Sequence, residues 1–131
     1  MKFFPVIFLF SFALNAAETV KIPLEFNLGA CGVGDCEFAV EKAIELNLTD
    51  NQARWESTLE KLGRKYIARV LVYKKVDEYC AEAELQTPLY TNSLAKPVCS
   101  KDFTKLPQVT LRVPAEKVSG INLISWLHIG N

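Results

Sequence analysis

Four cysteines are the side chains of this 131-residue chain best suited to thiol or metal chemistry. Their even number is typical of disulfides in an exported domain, and they are Cys31, Cys36, Cys80 and Cys99. We favour the pairing of Cys31 with Cys36 and of Cys80 with Cys99, because each bond then closes a local loop. Four residues separate the first two cysteines, whereas redox-active pairs favour two. The sequence therefore predicts two structural disulfides.

A metal or redox centre at Cys31 and Cys36 is the alternative to a disulfide. Asp35 and Glu37 could add carboxylate ligands, but no histidine lies close to them in the sequence. The glycine-rich segment 29–34 lacks the lysine of a phosphate-binding loop, so we interpret it as a turn. We expect no metal site and no cofactor.

The single histidine, His128, is the residue with the ordinary pKa of a general base at neutral pH. It lies in an apolar segment close to the last residue, and no Gly-x-Ser-x-Gly motif accompanies it. Glu41 and Glu45 could be read as a carboxylate pair, but we prefer a hydrated strand face, which explains them without an enzyme. The sequence thus predicts no catalytic residue and a protein that is not an enzyme.

Residues 1–17 have the pattern of a cleavable signal peptide. Lys2 precedes an apolar run over 3–14, and small residues follow at 15–17. This pattern predicts export to the periplasm or the extracellular space, with residues 18–131 as one mature domain. The sequence does not distinguish these two destinations.

The charge balance of the mature chain argues against nucleic acid as a partner. Without Lys2, 14 basic side chains stand against 15 acidic ones, so no positive field would attract phosphates. No segment after residue 17 approaches the roughly 20 apolar residues of a membrane-spanning helix. We expect no membrane span in the mature chain.

Most of the mature sequence alternates between apolar and polar residues, the period of a half-buried strand. Alternating or β-branched runs cover 20–28, 36–48, 66–76, 79–85, 109–113 and 121–129. Pro23 cannot donate to a ladder, which predicts an edge position or a bulge in the first strand. In 36–48, the alternation predicts a wet face with Glu37, Glu41 and Glu45 and leaves the apolar residues to the other face.

Residues 49–63 fit two interpretations. Thr49 and Gln52 match a capping box and Gly63 a helix stop, which predicts a helix over 50–62 in an α+β fold. Alternation from residue 53 to 60 instead predicts a strand between two turns. We prefer the strand, because both flanking segments are strands. About seven to eight short strands then predict an all-β fold, an antiparallel sandwich or barrel.

Two groups of residues are candidates for contact with a partner. Ile124, Trp126 and His128 have the parity opposite to the buried residues of the last strand, which predicts an exposed face. The second candidate is the loop formed by Gly32, Val33, Gly34 and Asp35.

Together these features lead us to expect a non-enzymatic interaction domain that binds a protein or a component of the cell envelope. An inhibitor of a secreted hydrolase is one such protein. The alternatives are a carrier of a small apolar ligand, which would need an internal cavity, and a cysteine-based metal or redox protein.

Overall fold

The computed structural model of the protein describes residues 18–131, which form ten β-strands and one short 3-10 turn at Phe103–Lys105. The predicted signal peptide lies outside the described residues. The strands, in chain order, are β1 (Glu18–Cys31), β2 (Cys36–Leu48), β3 (Gln52–Lys61), β4 (Arg64–Lys75), β5 (Glu78–Gln86), β6 (Thr91–Ser93), β7 (Val98–Ser100), β8 (Val109–Arg112), β9 (Glu116–Val118) and β10 (Ile121–Ile129).

The strands form two antiparallel five-stranded sheets that pack against each other. Sheet A has the order β2-β1-β10-β8 with β9 beside β10, and sheet B has the order β3-β4-β5-β6 with β7 beside β5. The prediction of an all-β fold is confirmed, and of the two predicted forms, sandwich or barrel, the structure has the sandwich. Seven strands correspond to predicted segments, and the additional β6, β7 and β9 have three residues each.

The core lies between the sheets and is filled by alternate residues of the long strands. The buried side chains of sheet A include Ile22, Phe26, Leu28, Leu123 and Leu127, and those of sheet B include Tyr66, Ala68, Val70, Val72 and Leu85. Each of these side chains is at most 2% exposed. At roughly 25 cal/mol per Å² of apolar surface removed from water, this layer is the main stabilising element of the sandwich.

Two-residue turns explain why 49–63 is a strand and not a helix. Asp50 and Asn51 have φ of 54° and 65°, and Leu62 and Gly63 have φ of 52° and 74°. Two successive positive φ values are the signature of type I′ hairpin turns, whose twist matches that of the flanking strands. β3 therefore runs between two hairpin turns, and the alternative helix over 50–62 is wrong.

Pro23 lies at a bulge within β1, as predicted. The pairing of β1 with β2 shifts between Lys21 and Leu24, so two residues of β1 oppose one of β2. The Pro23 carbonyl accepts a hydrogen bond of 2.9 Å from the Gly130 backbone N–H. The bulge thus places the imino nitrogen where the ladder requires no donor.

The orientation of β2 differs from the sequence-based expectation. Its glutamates are exposed, but so are the apolar residues of the opposite parity: Phe38 is 45%, Val40 42% and Ile44 74% exposed. The register explains this, because Val40 lies opposite Asn27 on the outer face, while Ala39 lies opposite buried Leu28. Alanines, and not the larger apolar residues, face the core from the middle of this edge strand.

Both predicted disulfides are present, Cys31–Cys36 and Cys80–Cys99. Each joins residues that lie directly opposite each other on adjacent antiparallel strands. Two disulfides are typical of proteins that fold in an oxidising environment. Within residues 18–131, no helix has the length and apolar character needed to cross a membrane.

Candidate functional site

The outer face of sheet A brings β1, β2, β8 and β10 together in rows of paired residues. Phe38, Gly29 and Ile124 form one row, and Val40, Asn27, Trp126 and Arg112 form the next. Lys42, Glu25, His128 and Thr110 form the third. We define the aromatic face as Phe38, Val40, Ile124, Trp126 and His128. It contains all three residues of the surface predicted on the last strand.

The Phe38 ring lies over β1 because Gly29, the residue beneath it, has no side chain. A Cβ at Gly29 would lie 2.4 Å from the Phe38 Cε1 atom, well inside van der Waals contact. The phenyl ring then reaches Trp126 on the far side of β1, with ring centroids 5.5 Å apart in an edge-to-face arrangement. Such pairs add about 0.5–1.5 kcal/mol beyond burial. Gly29 therefore allows residues of non-adjacent strands to form one apolar surface.

Trp126 lies at the centre of the aromatic face. The Arg112 guanidinium lies 5.8 Å from its ring centroid, a cation–π distance, and the His128 ring is 6.0 Å away. Its buried indole Nε1 has no hydrogen-bond partner among residues 18–131. The indole is thus held by ring packing, and its position depends on Phe38 and Arg112.

Polar groups border the aromatic face at the end of β10. The Asn27 amide donates a hydrogen bond of 2.9 Å to Glu25, and Lys42 lies 3.7 Å from the same carboxylate. His128 Nδ1 and Thr110 Oγ1 are 2.8 Å apart. Burial lowers the pKa of His128 and Arg112 lowers it further, while Glu25 opposes both. A neutral imidazole is therefore favoured near pH 7.

The Thr110–His128 contact is the arrangement here that most resembles a nucleophile and base. A catalytic set also needs a group that orients the base and donors for a developing oxyanion. Glu25, the carboxylate on the paired strand, bonds instead to Asn27 and Lys42. The geometry is that of a hydrogen-bonded strand face bearing one oriented histidine.

The candidate binding loop closes the hairpin of β1 and β2 at the Cys31–Cys36 disulfide. The Gly32 N–H donates to the Asp35 carbonyl at 3.0 Å, and Gly34 has φ of 90°, which favours glycine. Val33 is fully exposed at the loop. Because Phe38 follows Cys36 by two residues, the loop and the aromatic face lie on the same hairpin.

The outer face of sheet B has a different chemical character. Arg69 bonds to Glu56 and Glu84 at 2.8 Å each and to Gln86 at 2.6 Å. These exposed ion pairs form a hydrated ladder across β3, β4 and β5, of the kind that contributes little to stability. The two outer faces therefore differ: on sheet B the ion pairs of Arg69 lie between half-buried Ile67 and Leu71, whereas sheet A carries adjacent aromatic rings.

One cluster in residues 18–131 has the residue types of a metal site, namely Glu78, Cys80 and Cys99. Its two sulfurs are joined in a disulfide, and a metal would require thiolates. All four cysteines are oxidised in this way. The oxidised protein thus presents disulfides where the metal and redox alternatives need free sulfur.

Two grooves of the structure open on outer surfaces. One of about 380 Å³ is lined by Pro23, Glu25, Lys42, Ile44 and His128, beside the aromatic face. The other, of about 290 Å³, is lined by Arg54, Glu56, Arg69, Glu82 and Glu84 on sheet B. Neither lies between the sheets, where a carried apolar ligand would be enclosed.

Only part of this surface was predictable from the sequence. The parity of β10 identified Ile124, Trp126 and His128, whereas Phe38, Val40 and Arg112 were not singled out. The signal that could have found Phe38 is Gly29, because a glycine within a strand often marks a close approach by a neighbour.

Comparison of the chain with protein-family models, curated proteins and solved structures gave no match.

Proposed function

We propose that this chain is an exported, non-enzymatic domain that binds a protein partner through the aromatic face. The observation that carries the proposal is the contrast between the two outer faces. Phe38, Val40 and Trp126 form a contiguous apolar surface on one side, while on the other the ion pairs of Arg69 separate half-buried Ile67 from Leu71. Contiguous apolar patches with polar borders mark protein-interaction sites.

The residue types of the aromatic face also support a protein partner. Tryptophan and arginine are enriched among the residues that dominate binding energies, and here Arg112 lies against Trp126. Sheet pairing and the Cys31–Cys36 disulfide hold the surface in one conformation before a partner arrives. A preordered surface loses less conformational entropy on binding.

Export to the periplasm or the extracellular space belongs to the same proposal. The two disulfides are consistent with an oxidising compartment, and the pattern of residues 1–17 is that of a signal peptide.

A second candidate is inhibition of a secreted hydrolase, in which the loop of residues 32–35 would enter a cleft. Fully exposed Val33 within a disulfide-closed loop favours it. A small-ligand carrier has less support, because core side chains fill the space between the sheets.

The test is capture of a partner by the purified protein. The full-length chain is expressed with export, and the exported protein is immobilised without reducing agent. Wild type is compared with Trp126→Ala and Arg112→Ala on the face, and with Val33→Asp in the loop. Val76→Asp is the control, because Val76 is a fully exposed turn residue away from both. Circular dichroism confirms that each variant is folded.

We expect one protein to be retained by wild type and by Val76→Asp, and to be lost with the two face variants. Loss of partner capture only with Val33→Asp would show that the loop, and not the aromatic face, binds the partner. Retention by both folded face variants would refute the proposal. Retention of an envelope polysaccharide in place of a protein would also refute it.

A further inference from the structure

The two disulfides differ in how far an external thiol can reach them. Cys36 is exposed and Cys31 is half-buried at the end of the β1–β2 hairpin, beside the loop of fully exposed Val33. Cys80 is fully buried in β5, and its partner Cys99 is half-buried in β7. Thiol–disulfide exchange requires a thiolate to reach one sulfur and the other sulfur to leave as a thiolate. Access therefore favours exchange at the hairpin disulfide.

The sulfur that leaves favours the same disulfide. Attack on exposed Cys36 releases Cys31, which solvent still reaches. Attack on Cys99 would instead release the thiolate of Cys80, which is 0% exposed, and burial disfavours the charged form of a thiol. Exchange at Cys80–Cys99 is thus opposed both by access to the first sulfur and by the charge left on the second.

Backbone pairing holds the two strands of the hairpin unequally near the disulfide. β1 lies between β2 and β10, and Cys31 itself pairs with Asn122 of β10. β2 is an edge strand with β1 as its neighbour, and its first residues, 36–38, are all exposed. Three glycines between residues 29 and 34 also weaken strand pairing at this end. The disulfide therefore clamps a weakly held segment that ends at Phe38.

We propose that Cys31–Cys36 is a reducible clamp on the aromatic face, which a dithiol opens while Cys80–Cys99 stays closed. One thiolate of the dithiol attacks the Cys36 sulfur, the Sγ–Sγ bond breaks, and Cys31 leaves as a thiolate that takes up a proton. The second thiol of the reductant then attacks the reductant's own sulfur in the mixed disulfide and releases Cys36, which is protonated in turn. The products are two protein thiols and the cyclic disulfide of the reductant, so two electrons pass to the protein.

Opening the clamp frees the start of β2 and releases the Phe38 ring from its position over Gly29. The Phe38 and Trp126 ring centroids are 5.5 Å apart in the oxidised protein, so one edge of the aromatic face is lost with this contact. β1 stays paired with β10, and Arg112 stays beside Trp126. Reduction should therefore weaken partner binding without unfolding the sandwich. This consequence for binding rests on the proposed function, whereas the selective reduction does not.

The first test measures selective reduction of the exported, oxidised protein in graded concentrations of dithiothreitol. At each concentration the free thiols are alkylated, and mass spectrometry of the peptides identifies the modified cysteines. We expect Cys31 and Cys36 to be half alkylated at a dithiothreitol concentration about tenfold lower than Cys80 and Cys99 require. Alkylation of all four cysteines at the same concentration, or of Cys80 and Cys99 first, would overturn the proposal.

The second test follows the Glu37 amide by NMR hydrogen exchange before and after selective reduction. The Gly32 N–H bonds to the Asp35 carbonyl, so Cys31 and Cys36 form a non-hydrogen-bonded pair and the Glu37 N–H is directed at β1. We expect exchange of the Glu37 amide to become about tenfold faster on reduction, while the amides of β4 keep their protection. Equal protection of the Glu37 amide in both states would refute the clamp.

Two variants separate the clamp from the partner site. Cys31→Ala/Cys36→Ala is permanently open, so we expect fast Glu37 exchange and weak partner capture with or without dithiothreitol. Trp126→Ala lies outside the hairpin and keeps both cysteines, so it should lose the partner and still show the selective reduction of the wild type.

The proposed function and the clamp can fail separately. If the wild type captures no partner, the proposed function fails, while the alkylation and exchange results still decide for or against the clamp. Capture that is equally strong before and after selective reduction would refute the control of the aromatic face by this disulfide.

Discussion

At the scale of single residues, the most strongly perturbed pKa among residues 18–131 is that of Tyr66, which is fully buried at the start of β4. Its hydroxyl donates to Glu116 Oε1 at 3.3 Å, and Arg64 Nε lies 3.1 Å from the other oxygen of that carboxylate. Burial raises the pKa of Tyr66 to about 12, and the Glu116 charge adds to the effect. The hydroxyl therefore has to stay protonated for the core to remain intact at this end.

This perturbation predicts a loss of stability at alkaline pH. Above pH 10 the unfolded chain releases the Tyr66 proton while the folded chain still holds it, so rising pH favours unfolding up to the folded pKa near 12. The limiting slope is about 1.4 kcal/mol per pH unit. Urea unfolding from pH 8 to 11 measures it, with Tyr66→Phe as the control. An equal alkaline loss in both proteins would contradict the assignment to Tyr66.

At the scale of elements, the turn at 62–63 contains a residue with a strained backbone conformation. Leu62 has φ of 52° in a type I′ turn and is half exposed, whereas this conformation suits asparagine or glycine. A leucine in the left-handed region costs about 1 kcal/mol or more.

We therefore expect Leu62→Asn to increase the free energy of unfolding by about 1 kcal/mol, as measured by urea denaturation. The control is Asp50→Asn in the turn at 50–51, where an aspartate already tolerates positive φ and the change should stay within about 0.5 kcal/mol. A lower or unchanged stability of Leu62→Asn would show that the leucine side chain compensates for its backbone.

The elements also show what the sequence could and could not predict. Alternation, and for β4 the β-branched and aromatic content, identified the seven longest strands, because each buries one face against the other sheet. The short β6, β7 and β9 were missed, since three residues carry too little alternation to detect and form only beside β5 or β10. Helix and strand competed at 49–63 because Trp55, Leu59 and Leu62 also have helical spacing; the turns decided for strand.

The candidate site was predictable only where one strand was sufficient to define it. Leu123, Leu127 and Ile129 fix the inner face of β10, so Trp126 had to face outward. The inner face of β2 depends on its register with β1, which the isolated segment does not encode. A shift of one residue in register moves every side chain of a strand to the opposite face. For this reason Phe38 and Val40 were expected in the core, whereas they lie on the outer face.

At the scale of the whole molecule, the fold divides its tasks between two sheets. Sheet B closes the core and places the ion pairs of Arg69 among the apolar residues of its outer side, while sheet A combines the shared core with an aromatic outer face. Each sheet also has its own disulfide: Cys31–Cys36 closes the β1–β2 hairpin, and Cys80–Cys99 attaches β7 to β5.

The two disulfides should contribute unequally to the stability of the molecule. Their cysteines are 5 and 19 residues apart, so loop-closure entropy predicts losses of about 2 and about 3 kcal/mol when each pair is changed to alanine. Removal of fully buried Cys80 adds a packing cost that exposed Cys36 does not have. Urea unfolding should therefore rank Cys80→Ala/Cys99→Ala below Cys31→Ala/Cys36→Ala. The reverse order would mean that the β1–β2 hairpin, and with it the aromatic face, depends on its disulfide more than β5 and β7 depend on theirs.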